Sequence, residues 1–494
     1  MTKPIDLRDD YFKILKTILT EHLEGLNARV YTFGSRAKWT AKDTADIDLA
    51  LDVKNIPQKL IRNLTDAFEE SNIPYKVDIV DLNAIDDSFR NNIKNDLVEI
   101  LYDWEYLQLS EVAYYGTDKT FVGDVMRNSY VSTDNMLPNK QGVFIAESMP
   151  KSGKVCVYKK EDILVSNIRP YFKKIWLANI DGTCSADVLV FKTNKIDKKL
   201  LYYILSNDVF FDYTMQGSKG TKMPRGDKDQ IMLYPISFPY YADEQKKIAD
   251  VLGSLDDKIE LLQKQNKTLE GLAKAIFKSW FVDFEPFGGI IPDNWRSGKL
   301  SEILDTIESG SRPKGGAENF GIPSIGAENI EGIGIYDYTK EKYVNEDYFN
   351  SLKKGKVKSG DVLLYKDGAY TGKVSMSLGD FPHKVCAVNE HVFILRVNEQ
   401  LSSQFFLYLF LAQDNIKEIT STLASAKAAQ PGLNQADVNS VPLIIPDIAS
   451  IIKFNNIVSP LMYAIVANAT QARTIASIRD YLLPKLISGK VRVQ

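Results

Sequence analysis

Residues 242–284 read ADEQKKIADVLGSLDDKIELLQKQNKTLEGLAKAIFKSWFVDF, and their spacing decides the architecture. Ile248, Leu252, Leu255, Ile259, Leu262, Asn266, Leu269, Ala273, Ile276 and Trp280 alternate steps of four and three. That is a heptad seam, with Asn266 at an "a" position. No proline interrupts it, and Gly253 and Gly271 are its weak helix formers. Asp243 is expected to cap the helix, Glu244 to sit in its first turn, and Pro286 with Gly288-Gly289 to close it. At 1.5 Å per residue the helix runs roughly 60 Å, longer than an ordinary domain helix.

A seam needs a partner, and the chain contains one. Phe454, Val458, Leu461, Ile465, Asn468, Ala472, Ile475, Arg479 and Leu482 repeat the alternation, each 206 positions after its counterpart. The approaches repeat as well. Pro235-x-x-x-Pro239 precedes the first helix and Pro442-x-x-x-Pro446 the second, and Pro224 pairs with Pro431 at the same offset of 207. Asp162-Ile-Leu-Val and Asp361-Val-Leu-Leu correspond at offset 199, so a loop changes length between copies. A unit of about 200 residues is too long for a solenoid. It is a duplicated domain followed by a helix. One heptad run alone would read as a core helix; two in register behind duplicated domains read as a helix pair. Leu252, Leu255, Ile259, Leu262, Asn266 and Leu269 are expected to meet Leu461, Ile465, Asn468, Ile475 and Leu482.

Whole-chain properties narrow the function classes. At 494 residues, length suggests about three domains. Hydrophobic content of 44% and charged content of 25% are globular. No apolar run is expected to reach membrane-spanning length, and the first residues, MTKPIDLRDDYF, show no signal-peptide pattern. Cys156, Cys184 and Cys386 are scattered without CxxC spacing, which fits a reducing cytoplasm. Three histidines, His22, His383 and His391, leave little room for a histidine triad or a zinc hydrolase. The net charge of −3 does not point to nucleic acid, but its distribution is uneven. Residues 1–105 are net −6 and residues 106–242 net +4.

The first hundred residues lie outside the duplication. An amphipathic helix (Phe12, Leu15, Ile18, Leu19, Leu23, Leu26) precedes a strand at 29–33 and the turn Gly34-Ser35-Arg36. A second strand carries Asp46 and Asp48 on one face, and a third, after a helix near Pro57–Ser71, carries Asp78. Three such carboxylates are a candidate catalytic and magnesium-binding cluster, with Gly34 and Ser35 offering donors to nucleotide phosphates. GSRAKWTAKDTADIDLAL resembles the minimal nucleotidyltransferase family over about residues 8–102, with the departure that Trp39 stands where a small residue is usual. The resemblance implies ATP and magnesium at this domain; a fold retained only for protein docking is the other reading.

In the duplicated part, candidate DNA contacts cluster in polar, glycine-rich stretches. The first copy offers Asn167, Arg169, Lys173 and Lys174, then Lys219, Thr221, Lys222 and Arg225 in the loop 216–225. The second offers Lys366, Tyr370, Thr371 and Lys373, then Lys427 and Gln430. Cations on flexible backbone suit phosphate and base-edge contacts, while a solvated loop is the competing reading. Leu200–Phe211 and Phe405–Asn415 read as helices. Gly368-Ala-Tyr-Thr-Gly372-Lys373 is one residue short of a phosphate loop and lacks a strand-to-helix frame. No NPPY-type methyltransferase motif, methyl-donor glycine loop or Walker A occurs.

EQKKIADVLGSLDDKIELLQKQNKTLEGLAKAIFKSWFVDFEP, IPDNWRSGKLSEI and IRDYLLPKLISGKVRV closely resemble the specificity subunit of type I restriction-modification enzymes, over about residues 107–494. The resemblance implies two target-recognition domains, each reading half of a split site on double-stranded DNA. It implies two long antiparallel helices that also dock two methyltransferase subunits, with restriction and translocase subunits in the complex. The chemistry would then lie in partners that use S-adenosylmethionine and ATP with magnesium, in the cytoplasm, and the specificity part would need no cofactor. The expected fold is α+β: a nucleotidyltransferase-like domain at 1–105, recognition domains at 106–242 and 287–446, and helices at 243–286 and 447–494. An alternative function is a nucleotidyltransferase of the antitoxin type that modifies a partner protein, targeted by the DNA-binding part.

Overall fold

The structure is a computed structural model. It describes residues 5–491 and 493, apart from 24, 25, 27, 54, 55, 57, 58, 101–103, 221, 240, 241 and 427–431. The chain forms two compact units, residues 1–251 with 482–494, and residues 252–481.

Unit 1 opens with a small α/β fold. The strand Ala28–Phe33 pairs antiparallel with Ile47–Val53, which pairs parallel with Val77–Asp81. Val98–Glu99 closes the other edge. Helices Asp9–Leu23 and Leu60–Glu69 bury Leu15, Leu19, Leu23, Leu60, Leu64 and Phe68 against the sheet residues Val30, Leu49, Leu51 and Val53. The strand runs Ala28–Phe33 and the second helix Leu60–Glu69, close to their expected places; Pro57 lies outside the described residues.

The duplication is visible as topology. In unit 1 the strands Ile175–Leu177, Ile163–Ser166, Val188–Thr193 and Ala113–Tyr115 are neighbours in that order, all antiparallel. In unit 2 the order Val374–Met376, Val362–Tyr365, Val392–Val397 and Leu304–Ser309 repeats it. Each copy opens with a strand that pairs with the one just before its long helix. Trp104–Gln108 pairs with Pro235–Pro239, and Arg296–Lys299 with Pro442–Ile445. Leu109-Ser-Glu-Val follows the first opening strand and Leu300-Ser-Glu-Ile the second, and in each the glutamate reaches back to the backbone N–H three residues before it. The corresponding aspartates are both buried turn caps: Asp162 accepts from the Lys159 N–H and Asp361 from the Lys358 N–H, each at 2.8 Å.

Two expected helices are each two. Lys198–Leu205 and Asp208–Gln216 are separated at Asn207, whose side chain accepts from the Val209 N–H and starts a new helix. Gln404–Leu411 and Asp414–Ser425 divide at the matching place.

The long helices span Ala242–Phe281 and Ile448–Leu486. Asp243 lies in the first turn of the former rather than at its cap. Within unit 2 they run antiparallel: Asp256 meets Arg479, Asn266 meets Ile465, and Phe281 meets Phe454 at a ring separation of 4.8 Å. Toward the far end Phe277 and Phe281 are buried, and Ile276 and Trp280 only partly so. A straight α-helix has 3.6 residues per turn, so a strict 3.5-residue seam drifts by one position over several heptads. The second helix is long and apolar enough to cross a membrane by length and composition, contrary to the sequence expectation. Within it Ile451, Phe454, Val458, Met462 and Ile465 are buried in the unit 2 core, while Ile452, Ile457 and Tyr463 are exposed. Packing between helices uses the same residue types as a lipid-facing surface.

Candidate nucleic-acid interface

The N-terminal sheet places the first group of candidates by register. Asp48 and Asp78 stand opposite each other on parallel strands, and Asp46 lies one residue before the strand Ile47–Val53. Gly34 follows directly on the strand Ala28–Phe33 with φ +72, and a Cβ on it would lie 2.4 Å from Asp48 Oδ2. Only a residue without a side chain fits there. Ser35 is in the same short helical turn. Arg36 is buried, donates to the carbonyls of Asp6 and Ala45, and lies 4.0 Å over the Tyr75 ring, fixing the turn. Trp39 has φ +56 and is exposed.

Burial, then the charges of Asp78 and Asp46, push the Asp48 carboxyl above its usual range. Lys76 Nζ holds Asp78 at 2.6 Å and supplies counter-charge. The sheet therefore gathers negative charge of the kind a divalent cation neutralises. Among the described residues, however, no three His, Cys, Asp or Glu side chains converge as a ligand set.

In the first copy three segments meet. The hairpin at 136–143 is closed by the Met136–Val143 bridge, and the turn Pro170–Phe172 lies beside it. Asn139 N donates to Phe172 O and Lys140 N to Lys173 O, while Arg169 N donates to Pro224 O in the third segment, 219–226. Lys140 and Lys173 both bind Asp208, at 2.7 and 2.6 Å. Lys219 binds Asp227 at 2.7 Å and Arg225 binds Asp187 at 3.2 Å. Lys222 is exposed; Thr221 lies outside the described residues. Lys140, Lys173, Lys219 and Arg225 thus each have a carboxylate already beside them.

Two candidates in this copy point inward. Asn167 is buried, and its main-chain carbonyl accepts from Gly226 N. Lys174 donates to Thr133 O at 2.6 Å and covers the Phe172 ring, and burial pulls its pKa down. Both serve to hold the segments together.

The second copy brings together Lys366, Tyr370, Thr371 and Lys373 between the strands Val362–Tyr365 and Val374–Met376. A strand–turn–strand frame replaces the strand–turn–helix of a phosphate loop. Lys373 binds Glu331 at 3.1 Å and lies 4.5 Å from the exposed Tyr370 ring. Lys366 lies over Phe393, and Thr371 Oγ1 donates to Gly368 O. Lys427 and Gln430 lie outside the described residues.

Along the helix pair, Leu252, Leu262 and Ile465 are buried, while Leu255, Ile259, Asn266, Leu269, Leu461, Asn468, Ile475 and Leu482 are half-buried. Asn266 does not pair with another asparagine; its amide donates to a main-chain carbonyl.

Sequence reasoning found Tyr370 but missed other aromatic members of these surfaces. Tyr171 and Phe172 are exposed at the tip of the first copy's turn. In the second copy, Arg312 binds Glu390 and Phe320 is 77% exposed, both within the stretch 310–321 with five glycines or prolines around a basic pair. Composition of that stretch was the available signal. For Tyr171 there was none beyond the proline before it.

The comparisons with known proteins match the N-terminal part and the duplicated part of the chain separately. Residues 102–271 and 292–454 match the family model described as type I restriction modification DNA specificity domain. Residues 15–103 match the one described as polymerase beta, nucleotidyltransferase. The type I restriction enzyme MjaIX specificity subunit of Methanocaldococcus jannaschii is 27% identical over 427 residues, covering 81% of this chain and 96% of that one. The probable protein adenylyltransferase MntA of Haemophilus influenzae is 35% identical over 97 residues, covering 19% of this chain and 83% of that one. Among solved structures, the S subunit of a type I restriction-modification system from M. genitalium shares the fold, with a TM-score of 0.50 and 16% identity over 78% of this chain and 96% of that one.

Proposed function

The chain belongs to the type I restriction-modification DNA specificity family, and from that premise we propose how its parts divide the work. It is the DNA-specificity subunit of such a complex, and this part of the chain is not itself an enzyme. Each copy reads one half of a bipartite site. The observation that carries this reading is that one topology occurs twice, each time with cations and exposed aromatics gathered on loops at 169–173 and 219–225, or at 366–373. Arg169, Lys173, Lys219, Lys222 and Arg225 serve the first half-site, and Lys366, Tyr370, Thr371, Lys373, Lys427 and Gln430 the second. The helices dock methyltransferase subunits, two per chain, and restriction subunits join them. S-adenosylmethionine and ATP with magnesium are then cofactors of those partners, and the complex works in the cytoplasm.

Mapping methylated adenines in host DNA tests the division. Lys222→Ala with Arg225→Ala is expected to alter or relax one half of the motif, and Lys366→Ala with Lys373→Ala the other. A good base contact is worth about 1–3 kcal/mol of discrimination. If either pair changed both halves together, the two-module reading would fail.

The N-terminal likeness to nucleotidyltransferases supports a second activity beside the first. Asp46, Asp48 and Asp78 would hold magnesium and Gly34 and Ser35 the phosphates of ATP, with Lys76 displaced from Asp78. Such an ion would neutralise triphosphate charge and activate an attacking oxygen. Label transfer from ATP to a protein acceptor is the test.

A further inference from the structure

We propose that Tyr171 is a preformed wedge that stacks on a base at a partly unstacked step within the first half-site. The proposal rests on the DNA-specificity reading and adds a reading residue of a different chemical kind from the cations.

The turn Pro170–Phe172 is flanked by Arg169 at φ +50 and Lys173 at φ +51. Left-handed backbone at both flanks, on residues other than glycine, is disfavoured, so the surrounding fold must enforce it. It does so from three sides. Phe172 N donates to Arg169 O and Lys173 N to Pro170 O inside the turn. Arg169 N donates to Pro224 O on one side, and Phe172 O and Lys173 O accept from Asn139 N and Lys140 N on the other. Pro170 is buried beneath.

All of this fixed structure presents two rings to solvent. Tyr171 is 47% exposed and Phe172 38% exposed. Their centroids are 4.7 Å apart at 56°, and the Lys174 ammonium, turned inward to Thr133 O, supports Phe172 5.7 Å from its centroid. Tyr171 is thus the more exposed ring of a supported, tilted pair. An aromatic held rigid before binding loses little entropy when it is covered.

Its surroundings select the occupant. Lys140, Lys173, Lys222 and Arg225 lie on the same three segments, and although Asp208 and Asp187 pair with three of them in the free protein, such a cluster of cations suits a polyanion rather than an apolar protein contact. Side chains that enter a base step and those that stack on a base face act without base-edge hydrogen bonds. Such a residue reads how readily a step opens, which sequence determines.

The test uses the full chain assembled with its methyltransferase partner, and duplexes carrying the methylated motif with 2-aminopurine at successive positions of the first half-site. The wild type should raise fluorescence at one position, and Tyr171→Phe should keep that rise. Tyr171→Ala should abolish it and weaken binding of the motif duplex by about tenfold. It should leave scrambled-duplex affinity and the salt dependence unchanged, since no phosphate contact is lost. An unchanged melting temperature excludes misfolding, and Tyr171→Phe controls for it. If Tyr171→Ala binds and reports like the wild type, the wedge is wrong. Should it instead impair assembly with the methyltransferase while free DNA binding holds, the ring is a protein contact and the proposal is equally overturned. A wild-type complex that fails to prefer its motif over the scrambled duplex would refute the specificity reading itself.

Discussion

Asn266 Nδ2 donates to the main-chain carbonyl of Ile465 at 2.9 Å, so the polar residue of one long helix is spent on the backbone of the other. Its Oδ1 is buried without a partner among the described residues. Gly334, at φ +72, enters the same crossing: a Cβ there would stand 2.6 Å from Ile465 Cγ2 and 3.5 Å from Asn266 Nδ2. The helix pair and the second copy are therefore locked at one point inside unit 2.

That geometry makes Asn266 a net cost. An unsatisfied buried acceptor costs about 1–3 kcal/mol, and the donated bond returns about 1. Asn266→Leu is expected to raise apparent stability by about 1 kcal/mol, whereas Gly334→Ala should lower it through both strain and overlap. Thermal unfolding of the full chain measures both. A destabilised Asn266→Leu would show that its bond outweighs its orphaned oxygen.

The duplication was legible because proline spacing and heptad phase survive in sequence where loops diverge. The seam was read one position off at Phe277 and Phe281, because burial follows 3.6 residues per turn and the pattern was counted at 3.5. The helix break at Asn207 was hidden inside an unbroken apolar run, with a short polar side chain as its one sign. In the candidate site, residue type found the cations but not their state. Asp208 lies 35 positions from Lys173 and 68 from Lys140, so their shared carboxylate is a product of the fold. Asn167 and Lys174 have the right chemistry for DNA and the wrong orientation, which only packing decides.

The Asp208 contact has a measurable consequence. Burial pulls its carboxyl upward, but hydrogen bonds from Lys140 and Lys173 outweigh burial and hold it below the usual range. In the free protein one carboxylate thus engages both cations and cancels one of their two charges. Asp208→Asn should release them and tighten binding to scrambled duplex. The slope of log K against log salt should steepen by up to about 2, at roughly 0.9 per phosphate neutralised. Fluorescence anisotropy across a salt series checks this; an unchanged slope would mean that neither lysine meets DNA.

Cys156 and Cys184 stand opposite each other on paired antiparallel strands. The Cys184 thiol donates to Cys156, and Lys119 and Lys228 add positive charge. Together they outweigh burial and bring Cys156 down to about 6. The same bond and burial push Cys184 up. A lowered thiol pKa means that the reactive thiolate fraction rises as pH passes 6 and is nearly complete by pH 7. Alkylation of Cys156 should therefore show an inflection near pH 6, while Cys184 and the buried Cys386 stay unreactive. Cys184→Ala should move the inflection toward the ordinary thiol value of about 8.5. Mass-spectrometric alkylation rates across pH decide it, and an inflection that ignores Cys184→Ala would remove the hydrogen bond as its cause.

The N-terminal domain should be separable from sequence choice. It is acidic, stands outside the duplication, and has its own core of Leu15, Leu19, Val30, Leu49 and Phe68. Its candidate chemistry depends on one close approach, that of Gly34 to Asp48. Gly34→Ala would force a Cβ toward Asp48 Oδ2 on a backbone conformation that L residues avoid, and Asp48→Ala would remove the central carboxylate. With labelled ATP and magnesium, both variants should lose label transfer to an acceptor protein. Neither should change the methylated motif, and a chain beginning at Trp104 should direct its methyltransferase partner to the same site. The start matters, because Trp104 opens the strand that pairs with Pro235–Pro239 and a Cβ at Gly489 would lie 3.0 Å from its indole. Methylome sequencing of the three variants, beside the transfer assay, separates the outcomes. An altered motif in Asp48→Ala would show that the N-terminal domain takes part in reading DNA. An intact motif with transfer retained would leave the sheet as a docking fold whose carboxylates have no catalytic part.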